Sequence, residues 1–145
     1  MRVRILAVGT RMPAWVTTAY EDYTRRLRSG MRVDLEELAV KSKAEEEKRL
    51  LDRVGDDYVV ALDEHGKSLT TPQLAHWLSE RIQDGRNLSF LIGGPDGLGP
   101  EILKRAAWKW SLSALTFPHA MVRVMLAEQL YRAHSVLHNH PYHRE

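Results

Sequence analysis

The sequence predicts an α/β fold, an open sheet of about five mainly parallel strands with helices on both faces, built as a single domain over residues 1–145. Short apolar runs such as Tyr58-Val59-Val60-Ala61-Leu62 have the form of a strand covered on both faces. Longer segments between them carry apolar residues at helical spacing. At 145 residues with 43% hydrophobic content, the chain is about one ordinary domain, long enough to bury a real core.

Residues 2–8 alternate charged and apolar side chains and then become apolar, predicting a first strand that ends at Gly9. From Pro13, Trp15, Val16, Ala19, Tyr20, Tyr23 and Leu27 recur at helical spacing, with Arg25, Arg26 and Arg28 where cations suit the helix dipole; Gly30 ends the helix. Val33, Leu35, Leu38 and Val40 mark a second strand over 32–40, although Glu36 and Glu37 break its alternation. Residues 44–54 read as a highly charged helix, and the run 58–62 as a third strand stopping at Asp63-Glu64-His65-Gly66-Lys67. Thr71 is the expected cap of a helix with Pro72 at its first position and Leu74, Trp77, Leu78 and Ile82 as the buried stripe before Gly85. A fourth strand over 88–92 runs into a turn with four glycines. A helix over 101–110 with Ile102, Leu103, Ala106 and Trp110 on one side, and a fifth strand over 111–117, complete the sheet.

The last helix runs from about Ala120 to Leu137, with Val122, Met125, Leu126, Leu130, Ala133 and Leu137 as its core face. Met121, Val124 and Tyr131 lie outside that face. An apolar surface wider than a core needs points to a dimer interface, the other reading being deep burial within the monomer.

The stretch Gly93-Gly94-Pro95-Asp96-Gly97-Leu98-Gly99-Pro100 is the natural place for a ligand, since glycine lets one approach the backbone and proline limits the loop's freedom. Both phosphate motifs fail on the letters. Gly94 and four further residues lead to Gly99, followed by Pro100 and Glu101 instead of the lysine of a Walker loop, and Ile102 stands where a dinucleotide fingerprint needs its third glycine. A strand-to-helix turn without a ligand is the plainer alternative.

Zero cysteines exclude disulfides, thiolate metal sites and a cysteine nucleophile, and fit a reducing compartment, the cytoplasm. No signal-like apolar region or membrane-length apolar run is evident, so neither secretion nor membrane spanning is expected. Net charge is +2 but uneven: residues 1–32 carry seven Arg against Glu21 and Asp22, and residues 102–145 carry six Lys or Arg against Glu128 and Glu145. If the two ends meet, they make a surface suited to phosphates; otherwise they are a solvated face.

Three segments stand at predicted strand ends, 62–66, 92–97 and 111–119, where open α/β sheets bind ligands. Leu91-Ile92-Gly93-Gly94-Pro95-Asp96-Gly97-Leu98, Ser113-Ala114-Leu115-Thr116-Phe117-Pro118-His119 and Leu130-Tyr131-Arg132-Ala133 carry a resemblance that runs along the whole chain. Ala7-Val8-Gly9 and Asn139-His140-Pro141-Tyr142-His143-Arg144 extend it to both ends. The chain resembles the YbeA-like large-subunit ribosomal RNA methyltransferases of the SPOUT superfamily, which methylate N3 of a pseudouridine. That resemblance implies a SPOUT-type trefoil-knotted domain with the knot at the C-terminus, and an obligate homodimer with active sites at the interface. General topology argues against knots, so this expectation rests on the family alone.

By the same resemblance the cofactor is S-adenosylmethionine, held by Leu62, Gly93, Gly94, Leu112, Ser113, Ala114, Leu115, Thr116 and Phe117. The chemistry agrees: Leu62, Leu112, Leu115 and Phe117 suit a flat adenine, and Lys67 is the one cation near these loops, too few for a triphosphate. Core packing is the other reading of the leucines. Methyl transfer to N3 needs a group to take its proton or to stabilise the resulting anion, for which the candidates are His119, Glu128, Arg132, Tyr142, His143 and Arg144. The basic tail is favoured, with His143 accepting the proton, Arg132 and Arg144 stabilising the imidate and gripping phosphates, and Tyr142 holding the flipped base. Glu128 and Arg132, spaced i, i+4, also suit a plain helical ion pair. His138, His140 and His143 lack an acidic or thiol partner, so no metal is expected. The expected partner is large-subunit ribosomal RNA, within an assembled ribosome because so small a chain has no separate RNA-binding domain. A non-catalytic dimeric RNA-binding module and, less well, a nucleotide hydrolase are the competing functions.

Overall fold

The computed structural model describes residues 1–27 and 30–144, so the Arg28 end of the predicted arginine cluster lies outside the described residues. Strands β1 (Val3–Val8), β2 (Val33–Leu38), β3 (Tyr58–Lys67), β4 (Leu88–Ile92) and β5 (Trp108–Trp110) alternate with helices α1 (Ala14–Leu27), α2 (Lys43–Val54), α3 (Thr71–Asp84) and α4 (Pro100–Arg105). Helix α5 (His119–Leu137) follows β5, and a 3-10 turn, Pro141–Arg144, ends the described chain. The sheet order is β2-β1-β4-β3-β5, and every pairing is parallel. Strand β4 thus sits between β1 and β3, buried along its whole length.

Side chains alternate across the strands and divide the core in two. Ile5, Ala7, Val60, Phe90 and Ile92 face Tyr20 and Leu27 of α1, Leu74 and Leu78 of α3 and Leu126 and Leu130 of α5. Leu6, Val8, Val59 and Leu91 face Leu50 and Val54 of α2 and Ile102 of α4. Helix α5 packs between α1 and α3 over the middle of the sheet, although it follows β5 at the sheet's edge.

Several boundaries differ from expectation. Thr70, not Thr71, caps α3: its hydroxyl accepts from Gln73 N at 3.3 Å while Gln73 Oε1 accepts from Thr70 N at 2.9 Å, a reciprocal capping box that Thr71 could not close. The predicted helix 101–110 stops early, because Ala106 is extended (φ −66°, ψ 134°). Trp108 and Trp110 then form β5 against β3, their rings stacked at 4.8 Å and Trp77 at 4.9 Å from Trp108. The predicted fifth strand over 111–117 is a loop: Ser111 Oγ donates to Ser113 O at 2.8 Å and Ser113 Oγ accepts from Leu115 N at 3.0 Å, bonds that fold the backbone on itself. Ile82, expected in the buried stripe of α3, is 43% exposed, and Trp15, one of the apolar residues at helical spacing in α1, is 56% exposed. Tyr131, expected on an outer stripe of α5, is buried against Tyr23 and Tyr142, leaving Met121 and Val124 half-buried there.

At the N-terminal ends of the strands, Asp57 Oδ2 accepts from Arg4 Nη2 at 3.0 Å and Ser89 Oγ at 2.6 Å, all three groups buried. The two basic ends of the chain do meet, where α1 packs on α5. Much of their charge is neutralised by pairing within the chain: Arg4 pairs with Asp57 and Glu36, Arg26 with Asp22, Arg32 with Asp34, Arg123 with Glu37 and Arg132 with Glu128.

Candidate functional site

A cleft of about 950 Å³ opens at the carboxyl ends of β3, β4 and β5. Strand β3 supplies the first wall. Both Leu62 and Lys67 pair with Trp110, so the residues between them bulge out and carry Asp63, Glu64 and His65 to the rim. Gly66 is required by that bulge, since a Cβ there would lie 2.3 Å from the Lys109 carbonyl oxygen.

The glycine turn after β4 is the second wall. Gly97 N donates to Gly94 O at 3.0 Å and Gly97 has φ of 76°, a left-handed conformation that favours glycine. A Cβ on Gly93 would stand 2.7 Å from the Gly97 carbonyl carbon, so a Gly93 side chain would strike the turn itself. Gly94 makes only ordinary contacts, its nearest neighbour being Val8 Cγ1 at 3.5 Å from a built Cβ.

The loop 111–118 is the third wall, tied to the β3 bulge by Ser68 Oγ donating to Ser111 O at 2.8 Å. His119 and Val122 from the start of α5 close the cleft. Of the residues expected to hold a cofactor, Leu62, Gly93, Gly94, Leu112, Ser113, Leu115, Thr116 and Phe117 line this one cleft. Ala114, exposed in the same loop, is not among the lining residues. Leu115 is 72% exposed, a large apolar side chain open to water at the mouth.

Sequence reasoning missed the acids and the tryptophan of this cleft. Asp63, Glu64 and Asp96 give it negative charge, with Thr116 Oγ1 donating to Glu64 Oε2 at 3.4 Å, and Trp110 lies in β5, where helical spacing predicts a helix. The bulge that carries Asp63 and Glu64 exists only because β3 meets β5.

The expected catalytic tail does not reach the cleft within one chain. Glu128 organises it: Oε1 accepts from Arg132 Nε at 2.9 Å, Arg132 Nη2 at 2.6 Å and Tyr142 OH at 3.1 Å, while Oε2 accepts from Gln129 Nε2 at 2.7 Å. The helical ion pair that is the plainer reading of Glu128 and Arg132 does form, and it is the centre of a network. The hydrogen bond to Glu128 holds the Arg132 guanidinium above its already high range, fully charged. Burial, with the Tyr23 hydrogen bond and the Glu128 charge, pushes the Tyr142 phenol up, so it stays protonated and donates. His143 Nδ1 lies 3.4 Å from Ser135 Oγ, and Arg144 is exposed. Val122 and Arg132 are ten residues apart on α5, about 15 Å along the axis.

Among the described residues, no group of three His, Asp or Glu is placed to hold a metal ion, and no helix is long and apolar enough to cross a membrane.

Comparison with known proteins adds to this geometry. Residues 1–143 match the family described as "Predicted SPOUT methyltransferase". The chain is 49% identical, over 99% of both chains, to a protein of Alkalilimnicola ehrlichii named "Ribosomal RNA large subunit methyltransferase H". Among solved structures, a probable methylase family protein from Haemophilus influenzae superposes with a TM-score of 0.62 at 14% identity, covering 97% of this chain and 69% of that one. A SpoU methyltransferase from Streptomyces viridochromogenes, solved in complex with the cofactor AdoMet, gives 0.51 at 14% identity, over 92% of this chain and 58% of its own.

Proposed function

The chain belongs to the SPOUT methyltransferase family, and from that membership we propose that it is a homodimeric, S-adenosylmethionine-dependent enzyme that methylates N3 of a pseudouridine in large-subunit ribosomal RNA. The observation that carries the proposal is the convergence of segments 62–65, 92–98 and 110–118 on one cleft at the strand ends, in a chain whose relative bears that ribosomal name. The cytoplasm and the assembled ribosome are the setting that follows.

The residues of the cleft fit the cofactor. Leu62, Leu112, Leu115 and Phe117 offer apolar faces to an adenine, and the loop backbones offer N–H and C=O groups to its edge. Among the described residues no lysine or arginine lines the cleft to meet a triphosphate, whereas Asp63, Glu64 and Asp96 favour a ligand with positive charge. When bound, the cofactor supplies a methyl group made electrophilic by its sulfonium. The protein's task is to align the acceptor and manage the N3 proton. His143 takes that proton, with His119 at the cleft wall as the second candidate base. Arg132 and Arg144 hold the negative charge and nearby phosphates, and Tyr142, kept neutral, donates a hydrogen bond to the base or stacks on it.

Within one chain the tail packs on α5 at Glu128 and Arg132, about 9 and 15 Å along the axis from Val122 at the cleft wall, and in this proposal a second copy brings its tail to the cleft. The open Leu115 and half-buried Met121 and Val124 support such a contact. The C-terminal knot belongs to the same proposal, supported by the return of the chain from β5 at the edge to α5 over the middle of the sheet.

Saturating S-adenosylmethionine, at 100 times its Kd, should stabilise the fold by about 2.7 kcal/mol, raising Tm by roughly 5–11 °C. No shift at large excess would favour the non-catalytic RNA-binding module. Mass spectrometry of large-subunit RNA from a deletion strain should lose one methyl mark on a pseudouridine, and an unchanged spectrum overturns the proposal. A 16.7 kDa particle in sedimentation at micromolar concentration would exclude the dimer.

A further inference from the structure

The side chains that hold the glycine wall of the cleft lie outside the cleft, on α2. The first turns of that helix present Lys43, Glu46 and Glu47 three and four residues apart, on one face turned to the loop. Lys43 Nζ donates to the Gly97 carbonyl and lies 3.8 Å from Glu46 Oε1. Glu46 is 6% exposed, and its Oε1 has no hydrogen-bond partner among the described residues. Its Oε2 lies 3.9 Å from a Cβ built on Gly94, under the turn. Glu47 Oε2 accepts from Glu101 N at 2.9 Å in the first turn of α4 and fills the space left by Gly99, where a Cβ would be 2.1 Å away. The middle and the C-terminal end of the loop are thus fastened to α2.

A turn with Gly93, Gly94, Gly97 and Gly99 has many backbone conformations of similar energy. Its internal bond, Gly97 N to Gly94 O, closes the turn but does not orient it against the sheet. An ammonium on the Gly97 carbonyl does. We propose that Lys43 is a positioning residue for the cofactor wall and Glu46 its charge partner, together setting the affinity for S-adenosylmethionine without touching it. The inference rests on the cleft being the cofactor site. Without Lys43 the Gly97 carbonyl is released and Glu46 is left as a buried charge lacking its cation, which is costly. With Glu46 also made neutral, that cost disappears while the carbonyl stays free.

The experiment is calorimetric titration of S-adenosylmethionine into the wild type, Lys43→Met, Lys43→Arg and the double variant Lys43→Met/Glu46→Gln, with hydrogen exchange at the Gly97 amide. Lys43→Met should weaken binding by roughly three- to tenfold, speed exchange at Gly97 and leave the KM for RNA at saturating cofactor unchanged. Lys43→Arg should keep most of the affinity. The double variant should recover melting temperature but not affinity. Wild-type affinity in Lys43→Met overturns the inference, as does a double variant that regains affinity together with stability, since the lysine would then serve only the fold. Absence of binding by the wild type would instead remove the cleft assignment on which the inference stands, and the inference with it.

Discussion

Replacing Gly93 by alanine adds one methyl group at a place where only backbone can yield. The new Cβ would lie 2.7 Å from the Gly97 carbonyl carbon, 2.8 Å from its oxygen and 3.0 Å from Leu98 N. Non-bonded carbons settle at about 3.5–4.0 Å, so the turn must open by about 1 Å. Neither Gly93 nor Gly94 has a positive φ, so the backbone itself admits alanine and the clash alone is tested. Overpacking of this kind costs roughly 1–3 kcal/mol, a fall of roughly 2–12 °C in Tm for a chain of this length. The larger effect falls on the ligand: displacing a wall by about 1 Å should weaken S-adenosylmethionine binding at least about tenfold. Gly94→Ala is the control, because its Cβ meets Val8 Cγ1 at 3.5 Å and Glu46 Oε2 at 3.9 Å, ordinary contacts. It should bind within about threefold of the wild type, with a stability change under about 0.5 kcal/mol. Calorimetric titration at 25 °C and a thermal melt on each variant suffice. Wild-type affinity in Gly93→Ala, or equal harm from Gly94→Ala, refutes the reasoning.

Asp57→Ala removes the buried acceptor of the Arg4 and Ser89 bonds and leaves the Arg4 guanidinium with Glu36 and the Arg53 carbonyl, so it should lower unfolding free energy by about 2 kcal/mol; denaturant melts showing a change under about 0.5 kcal/mol would contradict this. His134 is buried with Nε2 unpartnered among the described residues, and burial, with the stacked His138 ring at 4.1 Å, pushes its pKa below the ordinary 6.5. The unfolded chain therefore takes up the proton first, so stability is full above pH 6.5, falls as pH drops through that value and levels off below the depressed folded pKa. His134→Gln should flatten that slope, and a melt series from pH 8 to 5 in which both proteins keep the same slope would rule the histidine out. His143→Ala and Arg144→Ala should each reduce methylation while leaving cofactor affinity intact; wild-type rates for both at saturating RNA would exclude the tail from catalysis.

Much of the fold was legible in the letters because it is local. The apolar run 58–62 and the Leu74, Leu78, Leu126 and Leu130 positions of α3 and α5 report which faces meet the core, and the glycine turn declares the end of β4, whereas the alternation before Gly9 hides that β1 is buried on both faces. The same locality explains the misses. Trp108-Lys109-Trp110 is three residues long, too short for its alternation to outweigh the helical spacing of 101–110, and becomes a strand because β3 offers an edge. Residues 111–117 have strand-like composition but no neighbour to pair with, so serine bonds fold them into a loop. The ring of Tyr131 is buried by Tyr23 and Tyr142, 108 and 11 residues away along the chain.

For the site, the sequence by itself determined the kinds of groups: glycines without side chains, leucines for an apolar face, a tail with Tyr142, His143 and Arg144. The tertiary structure decided which of them share a space. It gathered segments from three strand ends into one cleft, lined that cleft with acids carried out by the β3 bulge, and set the tail apart from it on the far half of α5. Periodicity records that a residue is covered, but not by what; parallel pairing and helix packing join groups tens of residues apart, and those distances are set only when the sheet order β2-β1-β4-β3-β5 is formed.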